Sequence, residues 1–175
     1  MTTAIFRRAP VSFLARMFAI ASAGIVAAAC GSSPTGTYFG AVEPIFDRHS
    51  RTMADAETAM FEATSKNARG VFVFGEDPGT AARLQTIFRA TAVAVENDIS
   101  EWDAVAVPLV TSDYHALVRE AMSLRLDAMR TSIAAIEAVV AGNTVDDPLA
   151  DAESAMAEAD ITLQKALDES ERIRG

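Results

Sequence analysis

Beyond residue 37, apolar side chains recur every three or four positions, and the recurrence divides into four runs. The first covers about 38–68 and places Phe39, Val42, Phe46, His49, Met53, Ala56, Met60 and Ala63 on one face. Its other face carries Asp47–Arg51, Arg51–Asp55 and Glu62–Lys66 at i,i+4 spacing. Pro44 either starts this helix or kinks it. The second run, about 80–106, turns Leu84, Phe88, Thr91, Val95, Ile99, Trp102 and Val105 inward. The third begins near Ser112, after Pro108, and stops at Gly142-Asn143. Its stripe is Leu117, Val118, Met122, Leu126, Met129, Ile133, Ile136 and Val140. The fourth opens at Asp147-Pro148, a side-chain cap followed by proline, and lines up Leu149, Met156, Leu163, Leu167 and Ile173.

Helices of this length, each with one stripe and joined by short connections, predict an all-α fold. The arrangement expected is an antiparallel up-down-up-down four-helix bundle. β-Branched runs are few, so no sheet is expected. Val71-Phe72-Val73-Phe74 stands apart, as a brief extended segment, an apolar cap over the bundle end, or an exposed contact.

The first thirty residues follow a different logic. Residues 1–16 hold Arg7, Arg8 and Arg16 and no acid, and Met17–Ala29 is an uncharged apolar run. A basic segment, an apolar segment and small residues form the pattern of a secretory signal peptide. Thirteen helical residues reach roughly 20 Å, short of the ~30 Å needed to span a bilayer. The Arg7-Arg8 pair lacks the aromatic or leucine pair of a twin-arginine signal.

Ala27-Ala28-Ala29 followed by Cys30 resembles the lipobox of bacterial lipoproteins, departing from its commonest form at Ala27, where a larger aliphatic residue is usual. The resemblance implies cleavage between Ala29 and Cys30 and a diacylglyceryl group on the Cys30 sulfur. The competing readings are an ordinary secreted protein cut near Ala29 and an uncleaved signal anchor. The expected organisation is a signal peptide over 1–29, a lipidated cysteine and flexible tether over 30–37, and the bundle over 38–175.

Charge then narrows the function classes. The chain has 24 acidic and 15 basic side chains, a net charge of −9, and a pI near 4.7. Without residues 1–29, which hold three of the arginines, 146 residues carry −12. Such a domain suits neither nucleic acid nor an anionic headgroup surface, so the lipid must supply membrane attachment. One cysteine excludes an intramolecular disulfide and a cysteine-rich metal site.

A looser resemblance covers Trp102-Asp103-Ala104-Val105-Ala106-Val107-Pro108 and Tyr114-His115-Ala116-Leu117-Val118. It is similar to small helical-bundle lipoproteins in which one helix ends in tryptophan then proline and the next opens with histidine. That resemblance implies a fold and no activity.

Candidate chemistry is sparse. His49 and His115 could ligate a metal or haem, with Met53, Met60, Met122, Met129 and Met156 as soft donors. This makes a small-ligand, haem or metal carrier the alternative function. The methionines fall on the apolar stripes, however, where flexible packing explains them. Glu96, Asp98, Glu101 and Asp103 crowd the end of the second helix and read as a solvated acidic face. Gly75–Gly79 lacks the lysine of a phosphate loop, and no Gly-x-Ser-x-Gly is present. No enzyme and no cofactor are expected.

The favoured expectation is a membrane-anchored, non-catalytic envelope lipoprotein with a structural or protein-binding role. Its partner site would be the bundle end away from the lipid, where Phe72, Phe74, Glu76 and Asp77 meet Asp146 and Asp147. The alternative for the two phenylalanines is a simple core cap. Four helices close their own core, so a monomer is expected.

Overall fold

A computed structural model describes residues 33–64, 78–142 and 150–175. These fold into helices α1 (Pro34–Thr64), α2 (Pro78–Asp103), α3 (Ser112–Val140) and α4 (Ala150–Arg174). A short 3-10 turn, Leu109–Thr111, precedes α3. No strand occurs among the described residues. Neighbours in sequence pack as neighbours in space, α1 on α2, α2 on α3 and α3 on α4. The start of α1 meets both the start of α3 and the end of α4, where Arg174 lies over the Phe39 ring. The chain is an antiparallel four-helix bundle.

Local chemistry sets the helix ends. Ser33 caps α1, its Oγ accepting the Gly36 N–H at 3.1 Å and its carbonyl the Thr37 N–H at 3.0 Å. Pro34 takes the first helical position, where its missing N–H costs nothing. The expected flexible tether over 30–37 is therefore corrected: residues 34–37 belong to the helix. Pro44 neither starts nor ends α1, which runs through it. The bond forfeited by the absent N–H is offset by Tyr38, Phe39, Val42 and Ile45, which are buried around it. At the end of α3, Gly142 adopts φ +80 and donates to the Val139 carbonyl, the left-handed cap that stops the helix.

The inward rows match the stripes closely. One departure is Val140, which is 64% exposed while Val139 is buried. Reading the row in steps of four from Ile136 overshoots it, because a real helix alternates three and four.

Small residues shape the tightest contact. Ala121, Ala128 and Ala135 on α3 and Ala152, Ala159 and Ala166 on α4 recur every seven residues and are all buried. α3 and α4 share the most extensive contact in the bundle. Side chains this small let two backbones approach closely, a device that the large apolar stripes do not reveal.

The core forms two apolar clusters stacked along the bundle. One gathers Met53, Met60, Leu84, Phe88, Val95, Leu126, Met129, Ile136 and Met156. The other gathers Tyr38, Phe39, Val42, Ile45, Trp102, Tyr114, Val118, Met122 and Leu163.

Candidate functional site: a buried polar layer

Each helix contributes one ionisable side chain between the two clusters. His49 lies between Ile45 and Met53 on α1, and Asp98 between Val95 and Trp102 on α2. Arg125 lies between Met122 and Met129 on α3, and Asp160 between Met156 and Leu163 on α4. His49 and Asp98 are only 1% and 2% exposed, and Arg125 is also buried.

The four groups form a chain across the bundle. Arg125 Nη1 lies 3.2 Å from His49 Nε2, and Arg125 Nη2 donates to Asp160 Oδ1 at 3.3 Å. His49 Nδ1 faces Asp98 Oδ2 at 3.5 Å. Arg48 closes the chain from the surface, its Nε donating to Asp98 Oδ1 at 2.7 Å and its Nη2 to Glu101 at 2.8 Å. A guanidinium has only donors, so His49 Nε2 must be the acceptor and the ring is neutral with its proton on Nδ1. Among the described residues, His49 Nδ1, Asp98 Oδ2 and Arg125 Nε are buried with no hydrogen-bond partner.

The electrostatics agree with that assignment. Burial pushes the His49 pKa down, Asp98 opposes it, and the Arg125 charge lowers it further. Burial would raise Asp98, but its contacts with His49 and Arg48 outweigh burial and hold the carboxyl below its usual range. Burial lowers Arg125 against the pull of Asp160, and burial raises Asp160 against the pull of Arg125. Asp98 is the firmly ionised member.

At the acidic end of α2, Glu96, Glu101 and Asp103 face solvent as expected, whereas Asp98 is buried, and for that residue the expectation of a solvated face is corrected. Glu96 meets Arg130 at 2.6 Å, Asp98 and Glu101 share Arg48, and Asp103 meets Arg119 at 2.8 Å. Arginines from helices on both sides thus counter four acids that the α2 macrodipole would otherwise disfavour.

The second histidine belongs to an aromatic corner. Trp102 Nε1 donates to the His115 carbonyl at 3.1 Å, and the two rings stack with centroids 5.1 Å apart. Tyr38 Oη lies 3.1 Å from His115 Nδ1, and Tyr114 packs against Tyr38, Phe39 and Trp102. Burial raises both tyrosines, with Tyr114 pushed up to about 12. Burial lowers His115, against Asp103 and with Arg119. The tryptophan–proline–histidine pattern of the sequence is therefore a packed corner between α2 and α3.

The two histidines are not brought together. Tyr38, the partner of His115, is eleven residues before His49 on α1, which is ~16 Å along the axis. Met122 sits in the aromatic cluster and Met53, Met60, Met129 and Met156 in the other, so the polar layer divides the soft donors as well. Among the described residues no group of three or more His, Cys, Asp or Glu could hold a metal ion. Ala29, Cys30, Phe72, Phe74, Glu76, Asp77, Asp146 and Asp147 lie outside the described residues.

Fold and site together define a four-helix bundle crossed by a buried ionic layer. Comparison with protein-family models, curated proteins and solved structures finds no match to this chain.

Proposed function

We propose that this chain is a bacterial cell-envelope lipoprotein, anchored through Cys30, whose bundle acts as a non-catalytic structural or protein-binding module. The observation that carries the reading is Cys30 directly after Ala27-Ala28-Ala29 and an uncharged apolar run. The capped start of α1 supports it, since Ser33 begins ordered structure three residues beyond the cysteine. No described helix is long and apolar enough to cross a membrane. The lipid would then be the attachment.

The distribution of reactive groups supports a non-catalytic role. His49 is enclosed between Arg125 and Asp98, and His115 Nδ1 is engaged by Tyr38. The carrier alternative is weaker because a metal at His49 Nε2 would sit against the Arg125 guanidinium.

The deciding experiment is labelling of expressing cells with a radioactive or clickable fatty acid. Label on the wild type and none on Cys30→Ser supports the anchor, whereas an unlabelled wild type overturns it. Absorbance and metal analysis of the purified protein test the carrier alternative. Crosslinking and pull-down from membranes address the partner, with the Phe72–Asp77 and Asp146–Asp147 end as the proposed contact.

A further inference from the structure

The connection between α2 and α3 carries the most exposed apolar group of the described residues. Leu109 is 92% exposed, Val110 51% and Val107 39%. They stand in Ala104–Ser112, nine consecutive residues without a charge in a chain that is 22% charged.

This knuckle is built rigidly. Thr111, fully buried, anchors it from below, and its N–H and Oγ1 both donate to the Pro108 carbonyl at 2.9 and 3.0 Å. Ser112 Oγ donates to the Leu109 carbonyl at 2.9 Å. Pro108 has no N–H to satisfy. The Pro108 and Leu109 carbonyls are therefore bonded within the knuckle, which removes part of the cost of taking this backbone out of water.

Its position is the second observation. Tyr38 and Phe39, in the first turns of α1, pack on Tyr114 and His115, three and four residues beyond Thr111. The knuckle and the start of α1 share one end of the bundle. Cys30 is four residues before Pro34, a reach of at most ~14 Å. A lipid on Cys30 would hold this end against the bilayer, with the knuckle facing it.

We infer that Val107, Leu109 and Val110 form a membrane-contacting tip that inserts among lipid acyl chains beside the Cys30 anchor. The inference rests on the lipoprotein reading above. The lipid places the domain at the surface and the tip gives it a second contact, so the bundle stands at a fixed tilt instead of swinging on its tether. Contact is with the acyl region, so it does not require anionic headgroups.

The test uses the full chain expressed in bacteria, purified from membranes and reconstituted into phosphatidylcholine vesicles with or without mid-chain bromine. Leu109→Trp adds a reporter to Trp102, which is fully buried. Ile161→Trp, on the exposed flank of α4 away from this end, is the control. At least twofold quenching of the added emission at 109, with none at 161, supports the tip. Equal emission at 109 in both vesicles, on protein whose mass shows a lipidated Cys30, overturns the tip alone and leaves that surface to a protein partner. A free Cys30 by mass overturns the anchor and the tip together.

Discussion

His49 Nε2 lies 3.2 Å from Arg125 Nη1, so a permanent cation fixes the protonation state of the one imidazole in the bundle interior. Protonating His49 would set two positive charges side by side in the core, with Asp98 beside the imidazole and Asp160 beside the guanidinium. The ring thus stays neutral in the folded protein below the pH at which it titrates in the unfolded chain.

Acidification should therefore destabilise the protein well before ordinary carboxylates titrate. The unfolded chain takes up protons on His49 and His115 near pH 6.5, whereas both pKa values are lowered in the fold. Their stabilisation is present above pH ~6.5 and declines as pH falls from there toward the folded values, by up to ~1.4 kcal/mol per pH unit for each group. Asp98, held low, adds a separate loss as pH falls through its own folded pKa, below the usual carboxylate range. Asp160, raised, has the opposite sign: its contribution is full below the usual carboxylate pKa and is lost as pH rises through its folded value. Urea midpoints at pH 7.5, 6.5 and 5.5 measure the histidine window, and His49→Leu should flatten it by about one proton.

Two acids that share Arg48 should differ sharply in weight. Asp98→Ala leaves the buried His49 without its carboxylate and Arg48 without the nearer of its two partners, and should cost about 3 kcal/mol. Glu101→Ala removes a half-exposed partner and should stay within about 0.5 kcal/mol. Chemical denaturation of the two variants checks this, and equal effects would refute the layer as an energetic unit.

The alanine seam predicts an overpacking penalty. Ala159→Leu forces α3 and α4 apart and should cost about 1–3 kcal/mol, seen as a lower melting temperature. Ala157→Leu, on the exposed face of the same helix, should change stability by less than about 0.5 kcal/mol.

Trp102 offers an optical readout of the aromatic corner. Fully buried and bonded to the His115 carbonyl, it should emit at short wavelength and resist acrylamide quenching. Trp102→Phe removes the indole bond to that carbonyl and leaves a void beside the stacked ring, a loss of about 2 kcal/mol measurable in urea.

The inward faces were legible because large apolar side chains mark them directly, as Val42, Met60, Phe88 and Ile136 do. The site was less so. Asp98 follows Val95 by three and precedes Trp102 by four, and Arg125 follows Met122 by three and precedes Met129 by four. Both occupy inward rows, yet a hydropathy pattern reads any acid or arginine as outward. One ionisable residue on the inward row of successive helices was the available signal. Which acid meets which arginine depends on axial stagger between helices, which periodicity within one helix does not encode. The alanine seam escaped for a related reason, because alanine is as common on an exposed face as on a buried one.

The polar layer acts as an index mark along the bundle axis. Leucine, methionine and alanine rows can slide past one another by a turn and still find apolar neighbours. His49 cannot: a one-turn slip of α1 moves it about 5.4 Å, off Arg125 and Asp98 and into one of the two apolar clusters. Every mis-staggered assembly of these four helices strands at least one buried charge, so the group that contributes least to packing is the one that rules out the alternatives.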